Sequence, residues 1–168
     1  MATLSSQVDF ILDNYHNPLK ENLPIILALS EKVARVHGDK HPEIIKIDTI
    51  IHNFVSEMTA HLRKEENVLF PLMRELDTLK ESGGTPNFHC GSLTNPIRQM
   101  NSEHSDFDQM FAEVRTLSNN YTAPADACNS YRRLFEQLSW LDTETVAHAL
   151  FESDTLFMRA IEIESHCQ

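Results

Sequence analysis

Apolar residues recur every three or four positions through four long blocks of the chain, and this spacing limits the possible folds more than any other feature. It places the apolar side chains on one face of an α-helix, whereas a strand would alternate apolar and polar residues. No stretch of the sequence sustains that alternation. The pattern therefore predicts an all-α protein, an up-down-up-down four-helix bundle. The second block shows it most fully, with apolar residues at Ile44, Ile47, Ile50, Ile51, Phe54, Met58, Leu62, Leu69 and Leu72.

Turn-forming residues indicate where the blocks begin and end. Asn17-Pro18 and Asn95-Pro96 each place a favourable N-cap residue before a proline, a combination typical of helix starts. Gly38 predicts the end of the first helix, and residues 81–94, which hold three of the four glycines, predict the one long loop. We therefore expect a short extra helix before the bundle and a single domain spanning residues 1–168.

Charge and cysteine content exclude several classes of partner. The chain carries 14 Lys and Arg against 25 Asp and Glu, a net charge of −11 that disfavours nucleic acid and anionic membranes. No apolar run approaches the roughly 20 residues that span a bilayer, and the first ten residues do not form a signal peptide. Cys90, Cys128 and Cys167 are far apart and form no Cys-x-x-Cys pair, which is typical of reduced thiols. We expect a cytoplasmic protein with no nucleic-acid or membrane partner.

Two of the nine histidines precede a glutamate by four residues. His61 and Glu65 form one such pair, and His148 and Glu152 form the other. On a helix this spacing puts both side chains on one face, about 6 Å apart along the axis. Each pair could bind one metal ion, or two if the carboxylate bridges. A single pair of this kind is more often an exposed helix pair than a metal site.

The positions of four histidines along the bundle favour a metal centre. If the chain turns near residues 39 and 123, one histidine from each helix lies roughly 19 to 25 residues from a turn. At a rise of about 1.5 Å per residue, all four then fall within about 9 Å of one level. Both glutamates have apolar neighbours, where an unpaired carboxylate is costly. The predicted ligands are His16, His61, Glu65, His104, His148 and Glu152.

Four imidazoles and two carboxylates suit a pair of iron or manganese ions better than one zinc ion, which needs four ligands. Two ions bridged by Glu65 and Glu152 would use all six side chains. Positions left on the metals could hold an oxo or hydroxo bridge and a small ligand such as O2 or NO. We expect two iron ions, with manganese as the alternative, and no catalytic side chain apart from the metal ligands.

The chain resembles hemerythrin-like domains, and more narrowly the repair-of-iron-centres family of di-iron proteins. The resemblance covers nearly the whole chain and implies a non-haem di-iron centre that helps to restore iron–sulfur clusters damaged by nitric oxide or peroxide. It also implies iron donation to damaged or apo iron–sulfur proteins, and an NO-reducing activity has been proposed for the family. The stretches that carry the resemblance are Tyr15-His16 through Leu23-Pro24, Lys32-Val33 through Val36-His37-Gly38, His61 with Lys64-Glu65-Glu66 and Leu69-Phe70-Pro71, Ser102-Glu103-His104, and His148 with Glu152 and Leu156-Phe157.

The family's ligands correspond to the same six residues, and its nearby acidic pair corresponds to Glu57 and Glu103, which the resemblance implies as an iron or proton path. The sequence departs from the family in lacking the N-terminal domain with paired cysteines and in reading Ser153 after Glu152, where the family has Asn. Asp108 stands where oxygen-carrying hemerythrins place a further histidine. It is a seventh ligand or a solvated carboxylate, and we favour the second reading.

Other residues and functions stay open at this point. His37 is expected to cap the end of its helix, and Tyr15 either bonds a metal-bound oxygen or is a half-buried aromatic. Two alternatives to a repair protein remain: a carrier or sensor of O2 or NO, and a di-iron reductase of NO or peroxide. The remaining histidines are expected at the surface: His41, His52, His89 and His166.

Overall fold

The computed structural model describes residues 3–167, and within that range it contains helices and loops but no strand. Seven α-helices account for most of these residues. They are α1 (Leu4–Ile11), α2 (Asn17–His37), α3 (Pro42–Lys64), α4 (Phe70–Ser82), α5 (Thr94–Leu117), α6 (Asn129–Phe151) and α7 (Met158–His166). None of the described helices is long and apolar enough to cross a membrane.

Three short π-helical turns join six of these helices without a break. They are Leu12–His16 between α1 and α2, Glu65–Leu69 between α3 and α4, and Glu152–Phe157 between α6 and α7. The described chain thus consists of four continuous helical stretches, which confirms the prediction of an all-α helical bundle.

The predicted helix start at Asn17-Pro18 is wrong in one respect. An N-cap residue normally has extended backbone angles, but Asn17 is helical, with φ −63° and ψ −49°. Its N–H donates to the carbonyl of Leu12, which continues the preceding turn. Pro18 is accommodated because the π-helical turn has already changed the hydrogen-bond register before it.

The chain divides into two compact units, each assembled from segments distant in sequence. Unit 1 comprises the residues up to Asn17, Ala60–His104 and the residues from Ala147 onward. Unit 2 comprises Pro18–Thr59 and Ser105–Val146. Whether residues 1–168 behave as a single domain stays a prediction.

Unit 1 has a continuous apolar core, and a polar contact ties α1 to its edge. The core includes buried residues of α1, α4, α7 and the loop after α4, among them Val8, Met73 and Ala160. Two backbone N–H groups in the first turn of α1 donate to the Asp77 carboxylate, from Leu4 at 3.1 Å and from Ser5 at 2.7 Å. This contact satisfies helix-end donors and fixes α1, which leads directly into the π-helical turn that ends at His16.

Unit 2 is held by aromatic packing and a partly buried ion pair. The ring of Phe54 meets those of Phe107 and Phe111 edge to face, with centroids 5.3 and 4.9 Å apart. Asp142, which is nearly buried, accepts hydrogen bonds from Arg115 at 2.8 Å and from the Tyr121 hydroxyl at 2.7 Å. The first bond joins α5 to α6, and the second attaches the α5–α6 connection to α6.

Candidate metal centre

All three π-helical turns carry a predicted ligand at one end. His16 is the last residue of the first turn, Glu65 is the first residue of the second, and Glu152 is the first residue of the third. His61 and His148 each lie one helical turn before the glutamate of their segment. A π-helical turn inserts one extra residue into a helix and is frequent at functional sites. The π-helical turns therefore begin at both glutamates of the His-x-x-x-Glu pairs, and a third turn ends at His16.

The six predicted ligands all belong to unit 1, and the structure brings them together as two overlapping quartets. The first quartet is His16, Glu65, His148 and Glu152; the second is His61, Glu65, His104 and Glu152. Within each quartet the candidate ligand atoms lie within 4.8 Å of one another. Both glutamates belong to both quartets, which is the arrangement that two bridging carboxylates require.

The distances place each carboxylate between two imidazoles. Glu65 Oε2 lies 3.3 Å from His16 Nε2 and 3.4 Å from His61 Nε2. Glu152 Oε1 lies 3.0 Å from His148 Nε2, and its Oε2 lies 3.1 Å from His104 Nε2. Each glutamate therefore lies beside one histidine of the first quartet and one histidine of the second.

The candidate ligands are buried, and this burial bears on whether the site can bind a cation. His16, His61, Glu65 and Glu152 are completely buried, and the His104 side chain is 8% exposed. None of the four glutamate oxygens accepts a hydrogen bond of normal geometry from the described residues. Buried carboxylates are costly unless they are paired or bind a metal. The donor set thus fits metal ions, which would satisfy the carboxylate oxygens and the imidazole lone pairs together.

Within each quartet the two imidazole nitrogens also converge. His16 Nε2 lies 3.2 Å from His148 Nε2, and His104 Nε2 lies 3.1 Å from His61 Nε2. A hydrogen bond could join each pair, but ligand nitrogens about 2.0–2.1 Å from one metal ion also come this close. The convergence fits metal ligation equally well.

Burial and the neighbouring charges shift the pKa values of three groups in the metal-free site. Burial, and next the charge of His104, lowers the pKa of His61 to about 4, so its imidazole is neutral near pH 7. Burial, and next the charge of Glu152, raises the pKa of Glu65 well above its usual range. Burial alone would also raise the pKa of Glu152, but its histidine neighbours, His148 first, outweigh that effect and lower it. A bound cation would lower the pKa of Glu65 again, because a nearby positive charge favours the ionised carboxylate.

Carboxylates hold the outer nitrogen of one histidine in each quartet. Glu66 Oε1 lies 2.8 Å from His16 Nδ1, and Glu103 Oε2 lies 2.8 Å from His61 Nδ1. Glu103 also pairs with Lys64 through its other oxygen. Such contacts fix the tautomer and orientation of a ligating imidazole and increase its basicity. Glu66 was missed in the sequence because its partner lies 50 residues away.

Aromatic rings stack on the other two histidines. The ring of Tyr15 stacks on His148, with centroids 5.5 Å apart and planes inclined by 20°. Phe157 is parallel to His104 within 1°, at 6.3 Å. Each quartet therefore contains one histidine oriented by a carboxylate and one oriented by an aromatic ring. Tyr15 is partly buried beside the site, and Phe157 is a buried core residue.

Residues expected outside the centre belong to neither quartet. His52 is 46% exposed and pairs with Glu31 at 3.1 Å. The Asp108 side chain is 65% exposed and pairs with Arg115 at 3.0 Å, as expected for a solvated carboxylate. Glu57 is exposed and belongs to unit 2, so its part in an iron path stays a prediction.

Comparison with known proteins identifies the family to which this chain belongs. Residues 8–160 match the profile of the hemerythrin HHE cation-binding domain. The chain belongs to the hemerythrin family. This membership confirms the resemblance seen in the sequence and implies that the domain has a metal-binding site.

Curated relatives of this hemerythrin domain are iron–sulfur cluster repair proteins. A probable iron–sulfur cluster repair protein of Haemophilus influenzae is 31% identical over 160 residues, covering 95% of this chain and 66% of the relative. The iron–sulfur cluster repair protein YtfE of Musicola paradisiaca is 31% identical, covering 98% and 68%. YtfE of Yersinia pseudotuberculosis is 32% identical, covering 96% and 67%. The chain thus spans about two thirds of the length of these relatives.

Proposed function

We propose that this hemerythrin domain binds two iron ions through the six side chains of the two quartets and donates iron to iron–sulfur clusters damaged by nitrosative or oxidative stress. The observation that carries the proposal is the pair of completely buried glutamates, Glu65 and Glu152, which lie between two histidine pairs without hydrogen-bond donors of their own. The names of the relatives supply the role in repair.

When bound, the iron ions supply cations that change oxidation state by one electron and can take a small ligand such as O2 or NO. Glu65 and Glu152 are the residues we assign as bridges, because each has a histidine of either quartet beside it. The four histidines complete the two quartets. Their rings are held in place by Glu66, Glu103, Tyr15 and Phe157. Manganese would suit the same donors.

Iron that is donated to another protein must be able to leave the two quartets. Fe(II) binds carboxylates less tightly than Fe(III), so reduction favours release. Glu103 connects the completely buried His61 with the surface, because its side chain is 16% exposed and its second oxygen pairs with the exposed Lys64. We assign Glu103 to the exit path, with Glu57 as the further member that the family resemblance implies.

Metal analysis followed by iron transfer tests this function. We expect two iron ions per chain after reconstitution, and transfer of that iron to an apo iron–sulfur protein with recovery of its cluster absorbance. Glu152→Leu should lose at least one ion, while Glu162→Leu, an exposed change in unit 1, should keep both. One tightly held zinc ion per chain would contradict the assignment. Reversible O2 binding without iron transfer would favour a carrier instead.

Stopped-flow chelation tests the exit path. A chelator should remove iron faster from the reduced than from the oxidised protein, and Glu103→Gln should slow removal from the reduced form. Glu113→Gln, an exposed change on the same helix, serves as the control. Equal removal rates in both oxidation states would contradict labile storage.

A further inference from the structure

A second group of reactive side chains lies in unit 2, among residues that the metal centre does not use. Cys128 Sγ is 3.1 Å from His37 Nε2, although the two residues are 91 positions apart in sequence. Cys128 is exposed, and His37 is the last residue of α2. The ring of His37 thus contacts a thiol, where the sequence predicted a helix cap. A nucleophile and a base within hydrogen-bond reach are the usual arrangement of an activated thiol.

The backbone around Cys128 also suits a negatively charged sulfur. Cys128 immediately precedes α6, which is 23 residues long, and its carbonyl accepts a hydrogen bond from Arg132 N at 3.1 Å. The N-terminal end of a helix carries a partial positive charge that stabilises an adjacent anion. Proton transfer from the thiol to His37 would leave the thiolate at this end.

Tyr131 lies against the same cluster and carries a hydroxyl without a hydrogen-bond partner among the described residues. Its ring packs edge to face against those of His37 and His41, with centroids 5.3 and 5.7 Å apart. Tyr131 is completely buried, yet its hydroxyl has no hydrogen-bond partner among the described residues. Burial, with the nearby charges of Glu43 and Asp126, raises its pKa to about 12, so the hydroxyl keeps its proton. A buried donor without an acceptor is costly, and a ligand carrying a carbonyl or carboxylate oxygen would satisfy it.

The carboxylates near Tyr131 are already engaged. Glu43 and Asp126 both contact the ring of His41, at 3.1 and 3.0 Å. Cys128 is the one cysteine of unit 2, since Cys90 and Cys167 belong to unit 1. Unit 2 therefore cannot form an internal disulfide, and any disulfide of Cys128 requires a sulfur from outside the unit.

We propose that Cys128 is a nucleophilic thiol that forms a mixed disulfide with a small peptide disulfide, with His37 as the base. His37 Nε2 accepts the thiol proton, and the thiolate attacks one sulfur of the peptide disulfide. The new Sγ–S bond forms as the old S–S bond breaks, and the departing thiolate takes the proton back from His37. The peptide disulfide is the oxidant, so electrons and protons balance.

Reaction with glutathione disulfide tests the proposal in the full chain. After quenching with N-ethylmaleimide, peptide mapping by mass spectrometry gives the rate at each cysteine. We expect Cys128 to react at least tenfold faster than Cys90 and Cys167, and His37→Gln to slow Cys128 at least fivefold. His52→Gln, which changes an exposed histidine of the same unit, should leave the rate unchanged. A Cys128 rate equal to that of an unstructured peptide with the same local sequence would overturn the proposal.

Tyr131→Phe separates recognition of the peptide from the reactivity of the thiol, because it keeps the ring against His37 and removes the hydroxyl. We expect slower reaction with glutathione disulfide, at least threefold, and an unchanged rate with iodoacetamide, which is not a peptide. Equal loss with both reagents would mean that the variant disturbs the thiol, and no loss with either would overturn the role of the hydroxyl. Circular dichroism of each variant verifies that the helices remain.

Discussion

Individual carboxylates in this protein are placed where they cost stability unless a cation is present. Glu65 and Glu152 lie in a completely buried site without hydrogen-bond donors of normal geometry. Glu66 and Glu103 lie one layer further out and orient the imidazoles. The two layers should respond differently to substitution, since the first provides the donor atoms and the second only positions them.

Glu65→Gln should make the metal-free protein more stable at pH 7 while weakening metal binding. The pKa of Glu65 in the folded state lies above its unfolded value of 4.5. As the pH rises above 4.5 the unfolded chain ionises first, so the buried carboxyl increasingly destabilises the fold, whereas an amide does not. We expect a gain of about 1–3 kcal/mol at pH 7 that shrinks toward pH 4.

Urea denaturation of the metal-free wild type and variant at several pH values measures this difference. A Glu65→Gln variant that is equally destabilised at every pH would show that the carboxylate is a structural partner in the fold. Glu162→Gln is the matched surface control.

Glu66→Ala should weaken iron binding without changing the number of ions bound at saturation. The Glu66 carboxylate contacts His16 Nδ1, and losing such an outer contact typically costs about 10- to 100-fold in metal affinity. Glu66→Gln keeps an oxygen acceptor and should lose less. Competition with a chelator of known affinity measures the loss, and an unchanged affinity in Glu66→Ala would show that the ring of His16 is held by packing alone.

At the scale of elements, the helical stretches change register at the metal centre. The π-helical turns at Leu12–His16, Glu65–Leu69 and Glu152–Phe157 each coincide with a predicted ligand. A regular α-helix would satisfy more backbone hydrogen bonds in the usual geometry, so these turns indicate that the packing of unit 1 and its ligand positions outweigh local preference. Proline contributes at two of them, because Pro18 and Pro71 each lie two residues after the end of a turn and lack an N–H to donate.

Asp77→Ala should loosen α1 and, through it, the segment that carries His16. The Asp77 carboxylate accepts hydrogen bonds from two N–H groups in the first turn of α1, and losing comparable helix-end contacts costs about 0.5–2 kcal/mol. Hydrogen exchange should quicken along α1 first, and the melting temperature should fall. Glu75→Ala, an exposed change on α4, is the control, and unchanged exchange in α1 would contradict the tether.

At the scale of the whole molecule, the two units differ in what metal binding should do to them. All six predicted ligands belong to unit 1. A ligand that binds only the folded state stabilises it by about 2.7 kcal/mol at one hundred times its dissociation constant. Metal should therefore raise the melting temperature.

The protection from hydrogen exchange that metal confers should concentrate in unit 1, above all at residues 60–76 and 147–157. Exchange measured by mass spectrometry on the metal-free and iron-loaded protein gives the comparison. Equal protection of both units would mean that they unfold as one cooperative body. Protection confined to unit 2 would contradict the assigned site.

The sequence by itself determined the helical class and the six candidate ligands. Helical spacing of apolar residues is a local property, and a separation of four residues places His61 with Glu65, and His148 with Glu152, on one face whatever the rest of the chain does. Counting along the helices was sufficient to bring in His16 and His104, because the rise per residue is nearly constant.

Only the tertiary structure decided what surrounds those ligands. The contacts of Glu66 with His16 and of Tyr15 with His148 join residues 50 and 133 positions apart, and no local pattern specifies them. The continuous backbone at Asn17, where the sequence signals a helix start, depends on the packing of α1 against α4. The pairing of His37 with Cys128 likewise requires the end of α2 to meet the start of α6. Side-chain spacing follows from the helix itself, whereas contacts between helices depend on which buried surfaces fit together.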